Sequence, residues 1–233
     1  MSGFFVTGTD TGVGKTLVAC ALLHACAARG LRAVGMKPVA AGAHTQRGRL
    51  VNDDASALKA ASNVTAPDDL INPYCFEQPI APHVAAAKAG VAIDLERLKQ
   101  AYTELAAISD CVVIEGAGGF RVPLGPVVDT AHLAALLAQP IVLVVGVRLG
   151  CINHALLTAT AIDSVGVPFA GWVANHIDPD MLHAGDTVEC LSERLTAPLL
   201  GRIGYAHDAD ASRAASLIDM DSLLAHVQRS SRR

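Results

Sequence analysis

Residues 4–16 read Phe4-Phe5-Val6-Thr7-Gly8-Thr9-Asp10-Thr11-Gly12-Val13-Gly14-Lys15-Thr16. An apolar run passes through a glycine-containing turn into Lys15-Thr16, which opens an apolar-periodic segment. That order predicts a strand, a loop and a helix. Backbone N–H groups of the loop and of the helix N-terminus face one spot, and both favour an anion there. Lys15 adds a full positive charge, and the Thr16 hydroxyl can hold Mg²⁺. The stretch reads as a cradle for nucleotide phosphates. One detail departs from G-x-x-x-x-G-K-T: the first glycine belongs at Thr9 and stands at Gly8.

Around this stretch the chain has 233 residues, enough for one large α/β domain with a substantial core. It is 52% hydrophobic and 17% charged, a globular composition. A net charge of −4 and the lack of a basic stripe give no reason to expect nucleic acid. Arg229, Arg232 and Arg233 read as a solvated basic end. No basic segment precedes the phosphate loop, so no cleaved leader is expected, and the apolar run 141–147 is too short to span a bilayer. Cys20, Cys26, Cys75, Cys111, Cys151 and Cys190 are scattered without a C-x-x-C pair, which fits a reducing cytoplasm.

Downstream, apolar runs at 32–36, 111–115, 141–147, 169–174 and 199–203 read as strands. Helices are predicted over 16–28, 53–61, 94–108, 128–137, 152–165, 184–195 and much of 211–228. The first is expected to bury one side, through Val18, Leu22 and Ala25. Residues 44–52 read as a polar loop, and the proline-rich 65–83 as an extended surface connection. Continuous apolar strands alternating with helices predict a parallel sheet covered on both faces. No repeat or linker divides the chain.

In such a sheet, ligands sit beyond the carboxyl ends of the strands. Lys15, Thr16, Lys37, Glu115 and Asn175 all fall there. Glu115 is either a metal-holding acid or a solvated strand-end carboxylate. Asp54 is either a second ligand or a helix N-terminal charge. Lys37 is either catalytic or simply solvated, and Asn175 either meets an adenine edge or closes a turn. The nine histidines show no ligand-like spacing.

Taken together, the GTDT…GKT loop, Lys37-Pro38-Val39, Asp54-Ala55, Asn72-Pro73-Tyr74, Pro82-His83, Glu115-Gly116-Ala117-Gly118-Gly119, Gly150-Cys151-Ile152-Asn153-His154-Ala155 and Ala170-Gly171-Trp172-Val173-Ala174-Asn175 closely resemble the dethiobiotin synthetase family. The early glycine belongs to the same likeness. The resemblance implies a single three-layer α/β/α P-loop NTPase domain over 1–233, with a mostly parallel sheet. It also implies a reaction: 7,8-diaminopelargonic acid, CO₂ and ATP give dethiobiotin, ADP and phosphate, the penultimate step of biotin biosynthesis. An amine takes up CO₂ as a carbamate, the carbamate attacks the γ-phosphate, and the second amine closes the ring. By the same resemblance Lys37, Lys15 and Thr11 are catalytic, and Thr16, Asp54 and Glu115 hold Mg²⁺. Gly12, Val13, Gly14, Leu17 and Gly118 join them around ATP, with Asn175, Gly204, Tyr205 and Ala206 at the base. Lys37, Ala41, Gly150, Cys151, Ile152 and Asn153 would take the diamine, whose carboxylate suits the free N–H groups that open a helix at Gly150. A cytoplasmic homodimer with this pocket at its interface is implied, and neither membrane nor nucleic acid is. Family members often carry a hydroxyl residue where this chain has Ala41, and the match weakens from Gly204 onward. The rival readings are an amide-forming relative of the cobyrinic acid a,c-diamide synthase group and a partitioning-type switch ATPase. The first usually needs a glutaminase domain for which 233 residues leave no room. The second carries a lysine early in the loop, where Asp10 and Thr11 stand here.

Overall fold

The apolar run that precedes the phosphate loop forms β1 (Gly3–Gly8), and every residue of it is buried. The computed structural model describes residues 3–207 and 209–230; Arg232 and Arg233 of the basic end lie outside them. After β1 come α1 (Lys15–Ala28), β2 (Ala33–Met36), β3 (Val39–Ala41), β4 (His44–Gln46), β5 (Arg49–Val51), α2 (Asp53–Ala61), α3 (Asp68–Ile71), β6 (Tyr74–Phe76) and α4 (Pro82–Lys88). The chain continues through α5 (Leu95–Ile108), β7 (Cys111–Glu115), α6 (Thr130–Leu137), β8 (Ile141–Val147) and α7 (Cys151–Asp163). It closes with β9 (Phe169–His176), α8 (Ala184–Arg194), β10 (Leu199–Ile203), α9 (Ala211–Ala215) and α10 (Met220–Ser230).

Six strands make one sheet in the order β10-β9-β8-β1-β7-β2, and every pairing in it is parallel. The strands are apolar throughout because both faces are covered. Phe4, Val6, Val113, Val142 and Val144 turn to one core, under α1, α2, α9 and α10. Phe5, Val112, Ile114, Leu143 and Val145 turn to the other, under α5, α6, α7 and α8. The alternation is the two-residue period of a strand, here with apolar side chains on both faces. Helix, sheet and helix layers give the expected three-layer architecture.

Three expectations are corrected. Helix α1 is not buried along one side only: Ala19, Cys20, Ala21, Leu23 and Cys26 are buried with Val18, Leu22 and Ala25. The polar segment 44–52 is a hairpin of β4 and β5, turning at Arg47 and Gly48, both with positive φ. The segment 65–83 is not an extended connection. It holds α3 and β6 and begins α4, and β6 pairs in parallel with β3 in a separate small sheet. The four prolines there break the elements into short pieces without preventing them.

Candidate active site

The phosphate loop closes because of two glycines. A β-carbon on Gly8 would come within 2.6 Å of Val13 Cγ2 and 3.2 Å of Asp10 O. The loop folds back over this residue, and that close approach is why the glycine stands at 8. Thr9 still bonds the sheet, its N–H donating to Val144 O at 3.0 Å, so it needs no glycine. Gly14, at φ 90°, is the N-cap of α1. A β-carbon there would meet Asn175 Nδ2 at 2.1 Å. Gly14→Ala therefore combines a left-handed strain of about 1–3 kcal/mol with displacement of Asn175. The expected outcome is ATP binding weakened ~10-fold or more, which is at least 1.4 kcal/mol. Nucleotide titration of the variant checks this, and unchanged affinity would mean the loop tolerates the side chain.

At the carboxyl edge of the sheet, four side chains from distant parts of the chain converge. The Thr16 hydroxyl, in the first turn of α1, lies 2.9 Å from Asp54 Oδ1 and 3.0 Å from Glu115 Oε1. Lys37 Nζ donates to Asp54 Oδ2 and to Glu115 Oε1, both at 2.7 Å. Lys37 is 4% exposed and Glu115 1% exposed, so neither is a solvated strand-end charge. Burial alone would lower the Lys37 pKa, but Glu115 and Asp54 outweigh it and hold the ammonium above its ordinary value. Burial pushes Glu115 up, against the pull of Lys37. The buried setting also opposes ionisation of Asp54, yet Lys37 and Thr16 hold it below its usual range. Lys15 is brought down to about 8, first by burial and then by repulsion from Lys37.

Each group is positioned by backbone around it. Asn52 caps α2 by accepting from Ala55 N, and so sets Asp54 on the first turn. Lys37 N–H donates to Ile71 O, and Lys37 O accepts from Asn72 Nδ2, both at 2.7 Å, so α3 and the residue after it grip the end of β2. Lys15 Nζ donates to Asp10 O at 2.8 Å. Arg148 Nη2 donates to Asp10 Oδ2 at 2.7 Å, and Thr11 N–H to Asp10 Oδ1 at 2.7 Å. Asp10 thus joins the loop tip to the segment before α7. Asp10, Arg148, Asn52 and the bracing role of Asn72 went unread in the sequence. Only Asp10 and Asn72 left a trace there, inside segments that carry the family likeness.

The remaining predicted site residues fall into three places. Gly12, Val13 and Leu17 line the loop and the start of α1, and a β-carbon on Gly118 would lie 3.5 Å from Thr11 Oγ1. Asn175 is buried beneath the loop, its Nδ2 donating to Val13 O at 2.9 Å. Gly204, Tyr205 and Ala206 follow β10, whose Ile203 is in register with Asn175. Gly150 opens α7 with no side-chain cap, leaving Cys151, Ile152 and Asn153 in its first turn. Ala41 ends β3 in the small sheet, opposite Phe76.

The donors at this cluster are two carboxylates and a hydroxyl, all hard oxygens. Glu115 Oε2 has no hydrogen-bond partner. Such a set suits a Mg²⁺ held by one or two carboxylates and completed by phosphate oxygens and water. Loop, buried lysine and carboxylate pair at the end of a parallel sheet define a nucleoside-triphosphate-using protein of P-loop architecture. MinD, a cell division protein of Aquifex aeolicus, shares that fold with a TM-score of 0.57 at 16% identity, over 100% of this chain and 98% of that one. A family model described as an AAA domain matches residues 2–213. The ATP-dependent dethiobiotin synthetase BioD of Aromatoleum aromaticum is 53% identical over 213 residues, 91% of this chain and 95% of that protein. The protein of the same name from Nitrosospira multiformis is 53% identical over 218 residues, 94% of this chain and 95% of that protein. The chain belongs to the dethiobiotin synthetase family.

Proposed function

We infer that this chain is an ATP-dependent dethiobiotin synthetase. It carboxylates 7,8-diaminopelargonic acid with CO₂ and closes the ureido ring, releasing dethiobiotin, ADP and phosphate in the penultimate step of biotin biosynthesis. The observation that carries this reading is family membership across more than nine-tenths of the chain.

The cluster supplies what the chemistry needs. A carbamate and a triphosphate are both anionic, so bringing one onto the other requires fixed positive charge at the meeting point. Lys15 and Lys37 provide it from two sides of the loop. Lys15, poised near 8 without ligand, gains its proton fully when the phosphates arrive beside it. Thr11, at the loop tip against Gly118, donates a hydrogen bond at the reacting centre. Thr16, Asp54 and Glu115 would hold Mg²⁺, which would neutralise phosphate charge as it develops. Lys37 occupies the point where the two carboxylates meet, and with a metal held there its ammonium would be free to face the substrate oxygens. Asn175 and the Gly204–Ala206 segment meet the adenine. The first turn of α7 takes the distant carboxylate of the diamine through the free N–H groups after Gly150.

A homodimer with the substrate pocket at its interface is part of the same reading. Leu149, beside that pocket, is 92% exposed and Leu157 on α7 62% exposed. Apolar side chains so placed favour a covering partner. A cytoplasmic setting accords with six cysteines that are all free thiols. No helix among the described residues is long and apolar enough to cross a membrane.

With MgATP and bicarbonate, phosphate release is expected to start only when the diamine is added, and dethiobiotin to accumulate in equal amount. A coupled phosphate assay with parallel mass detection of the product measures both. ATP hydrolysis indifferent to the diamine would refute the assignment.

A further inference from the structure

At the opposite edge of the sheet, α1 and β7 place two thiols together that the reaction does not use. Cys26, in the last turn of α1, and Cys111, the first residue of β7, lie with their Sγ atoms 3.7 Å apart, though 85 positions separate them in the chain. Both are buried. A cavity of about 330 Å³ reaches both, walled by Leu31, Met220 and Leu224 with Asp110 beside it. Arg29, one turn beyond Cys26, pairs with Asp221 at 2.9 Å and so straps the start of α10 near this opening.

We propose that Cys26 and Cys111 are a modification site, a dithiol that hydrogen peroxide or a small organic hydroperoxide converts to an intrachain disulfide. The geometry carries this. The sulfurs already touch, and a disulfide needs them at about 2.05 Å. The cavity beside them gives the side chains room to turn and admits an oxidant of two or three heavy atoms. The contact between the two thiols draws Cys26 below its ordinary pKa, with help from Arg29, and together with burial pushes Cys111 up. Either sulfur can attack first with the same balance. When Cys26 attacks, its thiolate takes the distal peroxide oxygen, the O–O bond breaks, and water or alcohol leaves, giving a sulfenic acid. Cys111 then attacks that sulfur, the S–O bond breaks, and its proton leaves with the hydroxide as water. In sum, two thiols and one peroxide give one disulfide and two molecules of water, or water and alcohol.

The bond would tie α1 to β7 at the ends remote from Thr16 and Glu115. It would close a long chain loop and leave the charged cluster untouched. The oxidised protein is thus expected to melt several degrees higher and to turn over within about twofold of the reduced one.

The test treats the full-length wild-type chain with stoichiometric hydrogen peroxide, digests it without reduction and maps the peptides by mass. The expected result is a Cys26–Cys111 linked peptide, 2 Da lighter than the pair, that disappears with dithiothreitol and accompanies the rise in melting temperature. In Cys111→Ala and in Cys26→Ala no linked peptide is expected, and dimedone is expected to trap a sulfenic acid at the thiol that remains. Peroxide that adds oxygen only to Cys75 or Cys190, leaving the pair reduced, overturns the proposal. So does a pair that goes straight to sulfinic acid with no linked peptide. The wild-type peptide map stands even if a variant fails to fold.

Discussion

Lys37→Ala is expected to fold, bind ATP and lose turnover by roughly 10³-fold, the scale seen when one preorganised donor to a developing charge is removed. The reason lies in where the ammonium sits. It is buried between two carboxylates at 2.7 Å from each, at the edge of the sheet proposed above for carbamate and γ-phosphate. Removing it leaves two carboxylates and Thr16 without the ammonium that bonds both acids. In the absence of nucleotide the variant is therefore expected to bind Mn²⁺ about tenfold more tightly than wild type, because no lysine competes for Asp54 and Glu115. Electron paramagnetic titration of free Mn²⁺ reads this without turnover. Steady-state kinetics with the diamine reads the other half. Near-normal turnover would make Lys37 a bystander, and unchanged Mn²⁺ affinity would show that it does not occupy the metal's ligands.

Glu115→Ala is expected to act first on stability. Glu115 is at the buried end of β7 and supplies half of the charge around Lys37. Breaking a buried ion pair by removing one partner costs about 3–5 kcal/mol, since the other charge is stranded. In a chain of this size that is a fall in melting temperature of roughly 6–20 °C. Asp54 remains beside Lys37, so the lower part of the range is expected. The double change Lys37→Met, Glu115→Leu removes both charges and fills the space with apolar atoms. It is expected to recover most of the loss, as replaced buried pairs commonly do, and to stay inactive. Thermal melts of the two variants decide the matter. A single variant that melts with wild type would mean that Lys37 relaxes to solvent, and a double variant no better than the single would point to lost packing at the strand end.

Much of the site was legible in the chain because its parts sit where simple patterns end. Lys15-Thr16 closes a strand–loop–helix, and Glu115 closes four apolar residues. Asp53 and Asp54 stand in the first turn of a helix. What the sequence could not show is which of these ends meet. From position alone the solvated reading of Lys37 is the stronger one, and its burial follows from contacts with Ile71 and Asn72, thirty-odd residues away. The hairpin at 44–51 was missed because Arg47 and Gly48 do not form a familiar turn dipeptide and both strands are largely exposed. The pieces within 65–83 were missed because three- and four-residue elements show no period. Arg148 carries no local mark at all; only the fold brings it to Asp10. The misplaced glycine is the reverse case. It was visible as a departure, and the close approach of Val13 supplies its cause.

The sheet order has a consequence for how the protein is made. The strand that leads into the phosphate loop, β1, sits between β7 and β8, whose residues follow more than a hundred positions later. Thr16 finds Glu115 across 99 positions, and Val13 finds Asn175 across 162. On the ribosome the phosphate loop therefore waits, with its strand unpaired on both sides, until most of the chain has emerged. Contacts of this reach close slowly. The active cluster belongs to the last part of folding, and a release of the chain before β9 yields a product in which the loop lacks the Asn175 side chain beneath it.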